Sequence, residues 1–326
     1  MILSAFDERI SLFGNIGVNK FQRVPDNVLE KIPDLKSLAY DTSGIRLSFY
    51  TTSKKIGIKS TQNELSKYMH MPSIAQRGYD IYINKKFVNY LAPIYGQKNF
   101  FNELEIDESN KINLIDIYFP LYGRVDEFQL VLDDNSEIKP NTYSRYEKDI
   151  VFYGSSITQG GCASRNGLSY VNMISTLLDT RVYNLGFSGK AKGEKEMAEY
   201  IATLDMSLFV YDYDHNAPST AHLAMTHEPF YKIIRQAQPK LPIVIASRSD
   251  YEKNRKENEQ NRRIIMQTYV EAMNNGDKNI YFVDGKEMFK DDEREFCTVD
   301  NTHPNSLGFY RMAKTFLKTI KEGMGE

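Results

Sequence analysis

From Asp149 onward the chain alternates short apolar segments with longer amphipathic ones, and this alternation restricts the fold more than any other feature. The apolar segments predict strands at Val151–Tyr153, Arg181–Leu185, Ser207–Tyr213, Pro242–Ser247 and Asn279–Asp284. Helical spacing predicts helices at Ser169–Leu178, Glu194–Thr203, Phe230–Gln238 and Leu307–Ile320, and a long helix that ends near Asn275. Continuous apolar strands between helices are typical of a parallel sheet that is covered on both faces. We therefore predict a three-layer α/β/α domain over residues 147–326.

The first half of the chain has a different pattern, in which apolar and polar residues alternate over short stretches. These stretches predict strands at Ile45–Thr51, Lys55–Lys59, Tyr79–Asn84, Lys86–Tyr90, Lys111–Phe119 and Glu127–Leu132. Asn84-Lys85 is a plausible hairpin turn. Short alternating strands with frequent turns favour an antiparallel β-sandwich, and a jelly roll fits as well. The polar stretch Pro140–Arg145 is a candidate linker, so we predict a first domain of residues 1–146.

Composition excludes several classes of protein. The 326 residues are 41% hydrophobic and 26% charged, with a net charge of -2, which is typical of a globular protein with a sizeable core. There is no basic block and no apolar run of about 20 residues, so we expect neither a nucleic acid nor a membrane as partner. The N-terminus lacks the basic start of a signal peptide, which predicts a cytoplasmic protein unless a leader has been removed. The oligomeric state, including a homo-oligomer, is left open. Cys162 and Cys297 are interpreted as reduced, buried packing residues.

The turn Gly154–Gly161 contains the first candidate catalytic residues. It follows a predicted strand at its carboxyl end, where α/β proteins bind ligands, and it contains Ser155, Ser156 and Thr158. A serine in such a turn can act as a nucleophile if a neighbouring base removes its proton. By itself the turn fits a helix cap or a phosphate-binding loop equally well, although the Gly-Lys-Ser/Thr ending of a P-loop is absent.

His303 is the best candidate for that base. It follows Asp300 by three residues and precedes Pro304, so one short loop can carry both the base and a carboxylate that orients it. The alternative is an ordinary histidine in a surface loop. The remaining histidines lack this arrangement: His70, His215, His222 and His227.

Two other strand ends contain groups that could stabilise an oxyanion. Asn184–Gly189 could present the Gly189 backbone N–H, and Tyr211–Asn216 could present the Asn216 side-chain amide. A glycine turn and an asparagine cap would explain the same residues without catalysis.

Neither a metal nor a cofactor is predicted. Asp212, Asp214 and His215 lie close together in the sequence, with two further histidines nearby, but their spacing matches no standard metal-binding motif. Arg165 is interpreted either as a residue that lines the cleft or as a partner in a surface salt bridge.

Taken together, four blocks resemble the SGNH (GDSL-like) hydrolases. They are Gly154–Thr158, Asn184–Gly189, Asp214–Asn216 and Asp300–Pro304, and they occur in the order of that family. The resemblance implies a flavodoxin-like α/β/α fold, with Ser156 as nucleophile, His303 as base and Asp300 as its partner. It also implies that the Ser156 and Gly189 backbone N–H groups and the Asn216 side chain form the oxyanion hole.

Two residues depart from the usual pattern of this family. Ser155 stands where the family usually has Asp, and Asp214 stands where it usually has Gly. The first departure is similar to a subgroup that reads Gly-Ser-Ser-Ile-Thr, in which a β-sandwich precedes the hydrolase domain. That subgroup implies deacetylation of carbohydrates, so the expected partner is a small-molecule or oligosaccharide ester. The alternatives are a lipase, thioesterase or lysophospholipase, or a carbohydrate-binding protein without catalysis. Because Asp300 and His303 share one loop, we hypothesise that activity depends only partly on Asp300.

Overall fold

A computed structural model describes residues 1–62, 68–94, 96–106, 111–289 and 294–326. The strands up to residue 140 are antiparallel. They are β1 (Ile2–Ser4), β2 (Ser11–Phe13), β3 (Arg46–Thr51), β4 (Lys55–Gln62), β5 (Tyr79–Ile83), β6 (Lys86–Leu91), β7 (Asn99–Glu105), β8 (Asn113–Tyr118), β9 (Val125–Val131) and β10 (Ile138–Pro140). One sheet has the order β1-β9-β4-β7, and the other has the order β10-β3-β8-β5-β6, with β2 also paired to β3.

The two antiparallel sheets pack face to face around one apolar core. Side chains two residues apart, such as Leu47 and Phe49 on β3 and Ile56 and Ile58 on β4, are fully buried in that core. This period of two places one face of each sheet inside. The predicted β-sandwich is confirmed.

The β5–β6 hairpin turns at Asn84 and Lys85, as predicted. Their φ angles of 49° and 69° are the left-handed values that a type I′ turn requires. Strand β7 was not predicted, because most of its side chains are exposed and its sequence lacks a strict apolar alternation.

A helical segment interrupts the N-terminal β pattern. It contains helix α1 (Asp26–Leu29), a 3₁₀ turn at Pro33–Leu35 and helix α2 (Lys36–Ala39), and a further helix α3 (Ser73–Arg77) follows later. The apolar side chains of residues 24–39 pack into the core of the C-terminal domain rather than into the sandwich. This segment was not predicted from the sequence, because its contacts are made with residues far away in the sequence.

The C-terminal part is a parallel sheet between two layers of helices. Its strands are β11 (Asp149–Gly154), β12 (Val182–Gly186), β13 (Met206–Asp212), β14 (Ile243–Ala246) and β15 (Ile280–Val283). Its helices are α4 (Ser156–Gln159), α5 (Tyr170–Leu178), α6 (Lys195–Ala202), α7 (Thr220–Ala237), α8 (Arg255–Asn274) and α9 (Ser306–Gly323). The strand order β12-β11-β13-β14-β15 is the flavodoxin-like order, in which ligands bind beyond the carboxyl ends of the two strands at the switch point. Here these strands are β11 and β13.

Each face of the parallel sheet has its own core. On β11, Ile150 and Phe152 pack with the layer that contains α5 and α9, whereas Val151 and Tyr153 pack with α6, α7 and α8. Cys162 and Cys297 are both buried. The predicted three-layer fold is confirmed, and the division at residues 146 and 147 stays a prediction.

The helices depart most from the prediction at two places. The serine turn leads into the separate short helix α4 before α5 begins. Helix α7 starts ten residues before the predicted Phe230 and runs through Pro229, although a proline in a helix interior usually ends the helix. Within the described ranges, no helix has the length and apolar character needed to cross a bilayer.

Candidate active site

Ser156 occupies the first position of α4, directly after β11. Its neighbour Ser155 caps the helix, because Ser155 Oγ accepts a hydrogen bond from the Ile157 N–H at 3.2 Å. Gly154 has no room for a side chain, since a Cβ there would lie 2.3 Å from the carbonyl oxygen of Asp212. The turn therefore separates two roles: the Ser155 hydroxyl satisfies the helix end, and the Ser156 hydroxyl is left for another partner.

That partner is His303, 147 residues away in the sequence. Ser156 Oγ lies 2.9 Å from His303 Nε2, and His303 Nδ1 lies 2.8 Å from Asp300 Oδ2. Both distances are within hydrogen-bond range. With the proton on Nδ1, the ring donates to Asp300 and its Nε2 accepts from the Ser156 hydroxyl. This is the arrangement in which a histidine can remove a proton from a serine.

The loop that carries His303 is shaped by the same aspartate. Asp300 Oδ1 accepts hydrogen bonds from the backbone N–H groups of Thr302 at 3.1 Å and His303 at 2.7 Å. The Val299 N–H donates to the His303 carbonyl oxygen at 2.9 Å and closes the loop. Asp300 thus holds the backbone with one oxygen and the ring with the other.

The charge of Asp300 is maintained although the side chain is partly buried. Burial raises the pKa of this carboxyl group, but the hydrogen bonds from the His303 backbone and ring outweigh that effect and lower the pKa below its ordinary value. Asp300 is therefore ionised at neutral pH and can stabilise a positive charge on His303.

The loops that carry Gly189 and Asn216 are connected to this turn by hydrogen bonds. Asn216 Nδ2 donates to the Phe187 carbonyl oxygen at 2.9 Å, and the Ser188 N–H donates to Gln159 Oε1 at 2.9 Å. Gly189 has φ of 68°, and among the described residues no atom lies within 4 Å of the position that a Cβ would occupy there. The Asn216 amide thus holds the loop that carries Gly189. The assignment of both residues to an oxyanion hole stays a prediction.

The N-terminal domain contributes residues to the site that the sequence did not indicate. Tyr122 Oη donates to the Ser156 carbonyl oxygen at 3.0 Å. The Tyr122 ring packs edge-on against Tyr68 at 5.4 Å, and the exposed His70 ring lies 5.6 Å from the His303 ring. Each of these residues approaches from a distant part of the sequence, and none lies in a motif.

Asp212, Asp214 and His215 do come together, with candidate ligand atoms within 4.8 Å of one another. Their surroundings are those of a buried ion network. His215 lies 3.4 Å from Asp214 and 3.2 Å from Asp250, and Arg248 forms a two-point ion pair with Asp250. The Arg248 backbone N–H also donates to Asp214 at 3.1 Å. Asp214, where the family usually has Gly, therefore joins the end of β13 to the loop after β14.

The two nearby histidines have other partners. His227 is buried, stacks on Tyr211 at 4.6 Å and contacts Thr268 through Nδ1 at 2.9 Å. His222 Nε2 contacts the Lys192 carbonyl oxygen at 2.7 Å.

Arg165 joins the two domains through an ion pair that is largely buried, and its interpretation as a residue that lines the cleft stays a prediction. It forms an ion pair with the fully buried Asp80 of β5 at 2.7 Å and donates to Tyr82 Oη at 2.8 Å. Its guanidinium group stacks over the Phe87 ring at 3.6 Å. The surface interpretation is wrong because the sandwich covers this loop.

Comparison with known proteins identifies the family. The sequence profile of the GDSL-like lipase/acylhydrolase family matches residues 147–321. This chain belongs to that family. A second profile, described as the N-terminus of SGNH-hydrolase-type esterases, matches residues 9–138. The family membership makes the protein a carboxylic ester hydrolase. A search of curated proteins found no match.

Solved structures share the fold over most or all of the length of the chain. A protein of Bacteroides ovatus ATCC 8483 described as a GDSL-like lipase has 27% identity and a TM-score of 0.88, covering 100% of this chain and 98% of that one. A salicylyl-acyltransferase from a tetracycline biosynthetic pathway has 16% identity and a TM-score of 0.82, covering 99% and 97%. A family two carbohydrate esterase from Clostridium thermocellum, in complex with cellohexaose, has 13% identity and a TM-score of 0.64, covering 87% and 94%. The last two are similar in fold alone.

Proposed function

We propose that this protein removes acetyl groups from carbohydrates, with Ser156, His303 and Asp300 as its catalytic triad. The observation that carries the proposal is the unbroken series of hydrogen bonds from Ser156 Oγ through His303 to Asp300. A hydroxyl group, an imidazole and an ionised carboxylate in this order form the arrangement that serine hydrolases use for acyl transfer.

The reaction has two halves. Ser156 Oγ attacks the ester carbonyl carbon while His303 Nε2 takes the hydroxyl proton, and the N–H groups of Ser156 and Gly189 and the Asn216 amide hold the oxyanion. The carbon–oxygen bond to the alcohol then breaks as His303 returns the proton to the leaving oxygen. Water attacks the acyl-enzyme in the same way, which releases the acid and restores the serine.

Two features support an acetylated sugar as the substrate. Tyr68 is half-buried and packs edge-on against Tyr122 beside the triad, so its ring suits contact with a sugar ring. Proteins of this fold also include the carbohydrate esterase with bound cellohexaose and an acetyl xylan esterase from Butyrivibrio proteoclasticus. These likenesses motivate the choice of substrate to be tested.

The nucleophile can be tested with a fluorophosphonate probe followed by peptide mass spectrometry. We expect one adduct on Ser156, which is lost in Ser156→Ala and kept in the control Ser164→Ala. The control removes a hydroxyl group from the same region that bonds to Ser306 instead. Labelling of any other residue, or none, would contradict the triad.

The acyl group can be tested with p-nitrophenyl esters of increasing chain length and with acetylated xylo-oligosaccharides. We expect the highest kcat/KM for acetate and release of acetic acid from the sugar. A preference for long chains would refute the deacetylase and favour a lipase. Adding an alcohol to the same assay tests acyl transfer, the activity named for the salicylyl-acyltransferase.

A further inference from the structure

Three side chains beside the triad form a candidate metal site that the proposed reaction does not use. His70 comes from the sandwich domain, Cys162 follows the serine turn, and His303 lies on the loop before α9. One ligand atom of each lies within 4.8 Å of the others. Two imidazoles and a thiol, brought together from three distant segments, are the donor set that Zn²⁺ prefers over Mg²⁺ or Ca²⁺.

The three side chains need to move only a short distance to coordinate a cation. Ligand atoms around a tetrahedral zinc lie about 3.5 Å apart, given Zn–N and Zn–S bonds of about 2.1 and about 2.3 Å. The ligand atoms are thus at most about 1.3 Å too far apart for direct coordination. His70 is exposed, so its ring has the freedom to close this gap. With three protein ligands, the fourth position stays open to water.

Cys162 has an unusual backbone conformation. Its φ of 72° is a left-handed value that non-glycine residues seldom adopt and that tends to occur at functional sites. Burial, and then the nearby Asp300 charge, raise the pKa of its thiol to about 12. A bound Zn²⁺ would displace that proton to the solvent and leave a coordinated thiolate.

We propose that His70, Cys162 and His303 bind Zn²⁺ and that this binding reversibly inhibits the enzyme. Both nitrogens of His303 already have partners in the triad. A cation on Nε2 displaces the Ser156 hydroxyl, and a cation on Nδ1 displaces Asp300. In either case the base is removed from catalysis. The inhibition rests on the proposed role of His303, whereas the binding itself does not.

Metal binding can be measured without activity in Ser156→Ala, which keeps all three ligands. Titration with Cd²⁺ as a thiophilic probe should produce a thiolate charge-transfer absorbance with a stoichiometry of one, and Zn²⁺ should abolish it by competition. Adding Cys162→Ser should remove the absorbance, and adding His70→Asn should weaken binding. Loss of a group that merely orients a ligand costs about 10–100-fold in affinity, so we expect at least that effect. The matched control is Cys297→Ser, which should leave the titration unchanged.

Inhibition is then measured on the enzyme with an intact Ser156. We expect Zn²⁺ to inhibit ester hydrolysis, EDTA to reverse the effect, and Mg²⁺ to have none. Cys162→Ser should require at least tenfold more Zn²⁺ for half-inhibition, measured relative to its own kcat/KM without metal. Absence of the Cd²⁺ absorbance, or its persistence in Cys162→Ser, would overturn the site. Binding without inhibition would leave the site standing and contradict the role of His303 in the proposed reaction.

Discussion

Replacing Asp300 by Asn tests how the triad depends on its carboxylate. Three N–H groups point at Asp300: the Thr302 and His303 backbone groups at Oδ1 and the His303 ring at Oδ2. An amide has a single oxygen, so Asn cannot accept from all three. If its oxygen stays with the backbone, its NH₂ group faces Nδ1 and moves the ring proton to Nε2, where the ring can no longer accept from Ser156.

The alternative orientation of the amide determines the size of the effect. With the amide turned over, its oxygen accepts from His303 Nδ1–H and the ring keeps its active tautomer, but two backbone hydrogen bonds are lost. Each of these hydrogen bonds contributes about 1 kcal/mol. The orientation with the active tautomer is therefore about 2–3 kcal/mol less stable than the other, which lowers the rate by about 30–150-fold. The Asp300 side chain is 40% exposed, so water screens its charge and the loss of that charge adds little. In a buried triad the corresponding change costs about 10⁴-fold.

The assay is kcat/KM for p-nitrophenyl acetate at neutral pH. We expect Asp300→Asn to retain about one part in a hundred of the activity, whereas Ser156→Ala falls to the background rate. Asp126→Asn serves as the control, because it removes an exposed carboxylate whose partner is Arg124, and it should have no effect. If Asp300→Asn were as inactive as Ser156→Ala, the argument from exposure and amide orientation would be refuted.

Three further predictions concern other parts of the molecule. Asn216→Ala should lower kcat by about 10²-fold with little change in KM, as loss of an oxyanion donor does. Steady-state kinetics would measure both constants, and an unchanged kcat would contradict the prediction. Arg165→Ala leaves the buried Asp80 without its cation and should lower the free energy of unfolding by about 3 kcal/mol. Denaturant titrations would measure this change. In the same titrations the control Lys85→Ala, which removes one partner of an exposed ion pair, should lower the free energy of unfolding by less than about 1 kcal/mol. Burial raises the pKa of Asp212 from 3.8 to about 7. As pH rises, the carboxyl group therefore loses its proton in the unfolded chain before it does so in the folded one, and the free energy of unfolding falls between these two pH values. Asp212→Asn should remove this decline, which urea unfolding at about pH 5 and about pH 8 would measure.

The parts of the fold and site that could be predicted are those determined by residues close together in the sequence. The strands of the parallel sheet are short apolar runs, and the helices between them have their own periodicity. Asp300 and His303 were paired from a spacing of three residues, which the hydrogen bond at 2.8 Å matches. The choice of Ser156 over Ser155 came from the family resemblance, and the structure supplies a physical reason, because Ser155 is occupied as the helix cap.

The parts that could not be predicted depend on contacts between distant segments. The ion pair of Arg165 joins residues 85 positions apart, and Tyr122 reaches Ser156 across 34 positions. Neither residue lies in a motif, and arginine and tyrosine are both common on surfaces or in cores without such contacts. The helical segment at residues 24–39 was missed for the same reason, since its apolar side chains pack on the C-terminal domain.

Arg23 indicates why the two halves work as one unit. Its buried guanidinium group donates to the carbonyl oxygens of Leu38 and Asp41 on one side and of Asn184 and Gly186 on the other. Burial lowers its pKa to about 10, with the Asp41 charge opposing that shift, so it remains a cation at neutral pH. A buried cation without its acceptors is strongly unfavourable, which makes separation of these segments costly. Gly186 ends β12, three residues before Gly189, so the N-terminal segment supports the loop that we assign to the oxyanion hole. The hydrogen bonds of Arg23 therefore tie this N-terminal segment to the end of β12 and make the two halves one structural unit.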